Sequence, residues 1–144
     1  MIQVASVTAA VHTILSSSSI LVNSGFNIEL NTELNTDTNK VPWVGVYFGR
    51  MAVEPYRGNI DAPYMALYEV DIYIQQGNAG SLANLETAMA LANEAVWTSI
   101  NSDRTLLGAA QMVMGYELAP FQRDVSAMSW MGTDILTVRA QAYA

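Results

Sequence analysis

Apolar residues recur at helical spacing from Gln3 to Asn23: Val4, Val7, Val11, Ile14, Leu15, Leu21 and Val22 share one side, with serines on the other. The pattern predicts a helix that Gly25 stops. Asn27 to Leu34 then alternates, with Ile28, Leu30 and Leu34 on one face and polar residues opposite. It reads as a strand entering a polar turn, Asn35 to Lys40. Val41 to Arg50, rich in Val, Trp, Tyr and Phe, returns as a second strand. Pro42 stands at its start, where a missing N–H is tolerated. Residues 51–65 contain two prolines, one glycine and two tyrosines, which predicts a long irregular loop of the kind that usually carries function.

Ala66 to Gln75 alternates most clearly. Tyr68, Val70, Ile72 and Ile74 share one face, and Leu67, Glu69, Asp71 and Tyr73 the other. The stretch QQGNAG turns the chain, and Ser81 is placed to cap a second helix reaching to about Ile100. Leu82, Leu85, Met89, Ala92, Val96 and Ile100 form its apolar stripe. Gln111 to Phe121 and Asp134 to Tyr143 read as two further strands joined by a loop around Arg123 to Gly132. The order is α-β-β-β-α-β-β. The economical architecture is α+β: a mixed or antiparallel sheet of about five strands with two helices packed on one face. No internal repeat is visible, and the 144 residues fit a single domain, 1–144.

Composition narrows the function classes. Fifty-one per cent of residues are hydrophobic and only 13% charged, so the chain can bury a core but leaves much neutral or apolar surface. Such surface is often covered by other subunits. There are no cysteines, which excludes disulfides, thiolate metal sites and a thiol nucleophile. The net charge is −7, and the six bases stand singly. A nucleic-acid reader groups its cations, so specific DNA binding is not expected. Residues 1–28 carry no Lys or Arg, as a signal peptide would require, and serines 16–19 interrupt any apolar span. A mostly buried helix is expected there.

Each candidate chemistry fails on a named requirement. Asn31, Glu33, Asn35, Asp37 and Asn39 offer an oxygen at every second residue. Counted from Asn31, however, Thr36 stands where a calcium loop needs glycine and Pro42 where it needs glutamate. A solvated hairpin tip explains the same residues. His12, the single histidine, has no acid near it in sequence, and no GxSxG elbow occurs. Glu69 and Asp71, about 6–7 Å apart on one strand face, could combine with Glu117 as a two-carboxylate hydrolase. A solvent-facing strand edge explains them better, since nothing in the sequence adds a partner to raise one carboxylate's pKa. GNAG (77–80) lacks the full phosphate-loop pattern. Tyr47, Tyr56, Tyr64, Tyr68, Tyr73, Trp43 and Trp130 lack the basic groove of a nucleic-acid platform and suit a protein interface better. No catalytic residue, metal or cofactor is expected.

Three regions look built for neighbours. The 51–65 loop offers Tyr56 and Tyr64. The stretch QRDVSAMSWMG carries Met128, Trp130 and Met131 with only Arg123 and Asp124 as charges. The 66–75 strand and the first strand pair offer edges for pairing across subunits.

The second half of the chain, with its long helix, the turn DRTLLGAAQMV (Asp103, Thr105, Leu106, Gly108) and the closing strand TDILTVRAQAY, resembles the tail terminator and tail completion proteins of long-tailed bacteriophages. The N-terminal helix, VPWVGVYFGR and ALYEVDIYI fit the same element order, so the resemblance covers most of the chain. Ala109 stands where members often have a second glycine. The resemblance implies a non-enzymatic virion protein of the tail–neck region, assembled in the host cytoplasm. It implies a hexameric ring on the last tail-tube ring that stops polymerisation, offers the head-attachment surface and lets DNA through without specific binding. Another neck or head–tail connector component, or a tail-tube-related protein, would follow the same fold logic. An acidic chain suits a lumen through which DNA slides.

Overall fold

The computed structural model describes residues 4–54, 65–110, 112–126 and 129–143. The N-terminal helical pattern is two helices, α1 (Val4–Ser16) and α2 (Ser19–Asn23). The break falls in the serine run. Ser18 is extended, and its Oγ lies 2.7 Å from Ser99 Oγ on the later long helix. Serines bond locally as readily as they continue a helix, so the run gives way there. Gly25, at φ +80°, then turns the chain into a strand.

Among the described residues five strands follow: β1 (Asn27–Leu30), β2 (Trp43–Glu54), β3 (Met65–Ala79), β4 (Met112–Ser126) and β5 (Ser129–Tyr143). The long helix α3 (Leu82–Asn101) lies between β3 and β4 in sequence. The sheet order is β1-β2-β3-β5-β4. The expected α+β class, mixed sheet and element order hold, with the first helix split. Val7, Val11 and Leu15 of α1 share one buried cluster with Ala92, Val96 and Ile100 of α3 and with the strand residues Val44, Val46, Val70, Ile72 and Val138. Both helices therefore cover the same sheet face. Ser81 caps α3 as expected, its Oγ accepting the Asn84 N–H at 3.1 Å.

Four expectations on the strands need correction. β1 does not form a hairpin with β2; the two run parallel, Asn27 beside Trp43 and Leu30 beside Val46. A parallel neighbour needs a returning connection of about a dozen residues, which residues 31–42 provide. That connection lies against β3, where Asn35 and Gln75 exchange side-chain bonds (Asn35 Nδ2 to Gln75 Oε1, 2.9 Å; Gln75 Nε2 to Asn35 O, 3.0 Å). Second, β3 runs on through QQGNA with a bulge between Gln76 and Ala79 rather than turning there. Third, β4 and β5 extend through the stretch expected as a loop and stay paired to Ser126 and Ser129. Fourth, the 66–75 strand is central, between β2 and β5, so it offers no edge.

The DRTLLG stretch is a built turn. Asp103 Oδ1 accepts from the Thr105 hydroxyl (2.7 Å) and the Thr105 N–H (3.1 Å), and Oδ2 accepts from the Leu107 N–H (3.0 Å). These bonds, the Thr105 hydroxyl foremost, hold the Asp103 carboxyl below its ordinary range. Leu106, Leu107 and Gly108 are left-handed, at φ +50°, +58° and +81°. Leu106 is fully buried, so apolar burial offsets the strain that a branched side chain meets there, about 1–2 kcal/mol.

Candidate interaction surface

The sheet face away from the helices combines an aromatic row with a charged ladder. Tyr47 and Tyr73 meet edge to face with centroids 5.2 Å apart, and Tyr73 meets Phe121 at 5.7 Å. Beside them Glu69 Oε1 accepts from Arg50 Nη2 (3.1 Å) and Arg139 Nε (3.2 Å), while Arg139 also bonds Glu117. Asp71 Oδ1 accepts from the Thr137 hydroxyl at 2.9 Å. The arrangement follows from register: Arg50, Glu69 and Arg139 stand side by side on β2, β3 and β5. Bonding to Glu69, and next to Glu117, raises the Arg139 guanidinium above its ordinary range. The three acids of the hydrolase reading thus share one face. Two of them, Glu69 and Glu117, are engaged by the Arg139 guanidinium.

Asn35 Oδ1 accepts the Asp37 N–H and Asp37 Oδ1 the Asn39 N–H, so these oxygens stabilise their own turn. Among the described residues no group of three or more His, Asp or Glu could hold a metal ion. His12 Nε2 lies 3.3 Å from Ser16 Oγ, and among the described residues no acid bonds to either. No described helix is long and apolar enough to cross a membrane. Of the expected contact residues, Tyr56, Tyr64 and Met128 lie outside the described residues. Trp130 and Met131 are half-buried in β5, opposite Val125 and Asp124, so they sit in a paired hairpin and not in an exposed loop.

That hairpin is fastened to α3 by Arg123. Its Nε bonds Glu86 Oε1 at 2.6 Å, its Nη2 lies 2.8 Å from the buried Asp134, and its Nη1 donates to Thr133 O at 3.1 Å. Asn93 Nδ2 donates to Asp134 Oδ2 at 2.8 Å. Gly132 lies close beneath this clamp: a Cβ there would fall 3.1 Å from Arg123 Cδ and 3.2 Å from Leu85 Cδ2, so these side chains would have to give by a few tenths of an ångström. Glu86 is drawn below its ordinary range, chiefly by its hydrogen bond to Arg123.

Among the described residues, five exposed large apolar side chains fall on β4, a terminal strand of the sheet. Met112, Met114, Leu118, Phe121 and Val125 are each between 45% and 57% exposed. Next to it, Asn93, Glu94, Trp97, Tyr116, Leu118 and Leu136 line a groove of about 250 Å³ between α3 and β4. Trp97 meets Tyr116 edge to face at 5.5 Å. Burial raises the Tyr116 hydroxyl above its ordinary range. A second groove, of about 380 Å³, lies at the α1–α2 break, with Ser17, Ser18, Ser19, Thr98 and Ser102 among its lining. Leu118 lies on the helix-covered side beside α3, while Phe121 stands on the opposite face against Tyr73.

No protein-family model matches the chain, and no curated protein matches it. Among solved structures, a chain from the virion of a native gene transfer agent particle covers 95% of this chain and 94% of that chain. The two are 15% identical, with a TM-score of 0.42. A likeness this distant carries no argument about function.

Proposed function

We propose that this chain is a structural virion protein, a tail terminator whose copies form a ring on the end of the tail tube. In that reading the ring stops tube growth and presents the surface to which the head attaches, and DNA passes through it. The carrying observation is β4. A fifteen-residue terminal strand with five half-exposed apolar side chains is a surface that another subunit would cover. The resemblance of DRTLLGAAQMV and its neighbours to terminators supplies the kind of assembly. The acidity supports it as well, since net charge −7 opposes adhesion of a passing duplex. Tyr56, Tyr64, Met128, Trp130 and Met131 remain proposed contact residues of the ring or its partners.

Native mass spectrometry of the chain, alone and with tail-tube subunits, tests the reading. The expected result is a closed oligomer, hexameric by the resemblance, and tube growth in vitro that halts when it is added. A chain that stays monomeric in both conditions would sink the proposal. A ring that promotes tube growth would instead assign a tail-tube-related role, and one that binds only the head side another neck component.

A further inference from the structure

Resting on that reading, we infer that the ring is closed by strand addition: β1 of one copy joins β4 of the next, so that the sheets run on from subunit to subunit. Among the described residues the sheet has two terminal strands, β1 and β4. β1 is parallel to β2, β3 is antiparallel to β2, β5 to β3 and β4 to β5. β4 therefore runs opposite to β1. Two copies standing the same way up, as cyclic symmetry requires, bring these strands together antiparallel. Pairing β4 with a second β4 would need one copy inverted, which closes a dimer and nothing larger.

Length and side chains agree with this partner. β4 is interrupted by register shifts between Val113 and Gly115 and between Pro120 and Gln122, and Pro120 has no N–H to donate. That leaves two regular windows, Gly115–Ala119 and Gln122–Ser126, each closer to a strand of four residues than to a long one, and the first is the one beside the α3–β4 groove. On β1 the N–H groups of Asn27 and Asn31 are spent on β2, bonding Pro42 O (2.9 Å) and Val46 O (3.0 Å). By alternation the peptide groups of Ile28 and Leu30 face outward. Ile28 and Leu30 lie on the helix-covered side, packed against the core, as do Tyr116 and Leu136 beside the exposed Leu118. Joining the strands sets Ile28 and Leu30 beside Tyr116 and Leu118, over the groove that Trp97 lines. On the other side the Glu29–Lys40 pair (3.6 Å) comes beside the Glu117–Arg139 pair, so each acid brings its own cation to the joint.

The chain has no cysteine, which gives a clean test. Ile28→Cys and Leu118→Cys are combined in one chain and oxidised. The expected product is a ladder of covalent oligomers on a non-reducing gel, ending at the ring size, with neither single variant cross-linking. Cross-linking by Leu118→Cys alone would show β4 paired with β4 and overturn the inference. Leu118→Glu, a change at a half-exposed position, gives a second readout without a thiol. The apparent dissociation constant of the ring should rise about tenfold or more, with the circular dichroism spectrum unchanged. Rings that form in native mass spectrometry yet ignore both changes would refute this joint and leave the ring reading standing. A chain monomeric with and without tube subunits would remove both.

Discussion

The two faces of the sheet are built from the same strands and do different work. Toward the helices, Val44, Val46, Tyr68, Val70, Ile72, Ile74 and Val138 are all at most 2% exposed and bury against α1 and α3. Away from them, the alternate residues Tyr47, Glu69, Asp71, Tyr73, Thr137 and Arg139 stay half-exposed and pair laterally, ring to ring and charge to charge. The period-2 geometry of a strand separates the tasks. Burial on one face supplies the stability, while the other is free to be selected for what it touches. If that division holds, substitutions on the two faces should differ sharply.

The largest effect is expected at Ile72, fully buried at the centre of β3. Ile72→Ala should cost about 2–5 kcal/mol, through lost transfer energy and an unfilled cavity, read as a lower denaturant midpoint with little change in slope. A loss well below 1 kcal/mol would mean that the helix-covered face is not the stabilising one. Next comes Gly45, on the other face, where the Trp43 indole lies directly over the backbone. A Cβ at Gly45 would fall 2.2 Å from Trp43 Cη2, so the ring must move. Gly45→Ala should cost about 1–3 kcal/mol and shift the tryptophan fluorescence. It marks the place where the second face is also tightly filled, under the 31–42 connection.

Much of this was legible in the chain, and the failures have physical causes. Tyr68, Val70, Ile72 and Ile74 announced the buried face because one side of β3 is covered and the other is not. The α3 stripe was equally plain, apart from Leu82, which is 44% exposed. The parallel pairing of β1 was hidden, because the direction of a four-residue strand depends on where its connection runs. Here that route is set by Asn35 meeting Gln75, forty residues away. The strand extensions past Gln75 and Phe121 were masked by Gly77, Asn78, Gly80 and Pro120, which signal turns but here sit at or beside bulges. The α3–β4 groove could not be read, because the width of sheet that one helix covers is a tertiary property.

A smaller effect is expected outside both faces, at the turn that follows α3. The folded-state pKa of Asp103 is depressed, chiefly by the Thr105 hydroxyl and then by backbone N–H groups. Its contribution is therefore present above its unfolded pKa, near the ordinary Asp value of 3.8, and fades as pH falls through that value and the lower folded one. Asp103→Asn should be less stable than the parent at neutral pH, and the gap should narrow as the solution is acidified below about pH 4. A gap that is constant with pH would show that the carboxylate charge contributes nothing and that only the geometry of the turn matters.

The smallest effect belongs to the charged ladder. Glu69, with its side chain 16% exposed, receives two guanidinium groups, yet Arg50 and Arg139 are themselves 68% and 40% exposed. Water and salt screen such pairs, and ordering three long side chains opposes the gain. Glu69→Gln keeps the shape and one acceptor. The thermal midpoint of the isolated chain should therefore move by no more than about 1–2 °C, and by less at high salt. The contrast with Ile72, its near neighbour on the same strand, is the point of the measurement. A loss as large as that of Ile72→Ala would mean that both faces stabilise the monomer and would undo the division of labour. A small loss in the isolated chain with a large loss in the assembled state would place the ladder against another molecule, where removal of water makes the same ion pairs count for more.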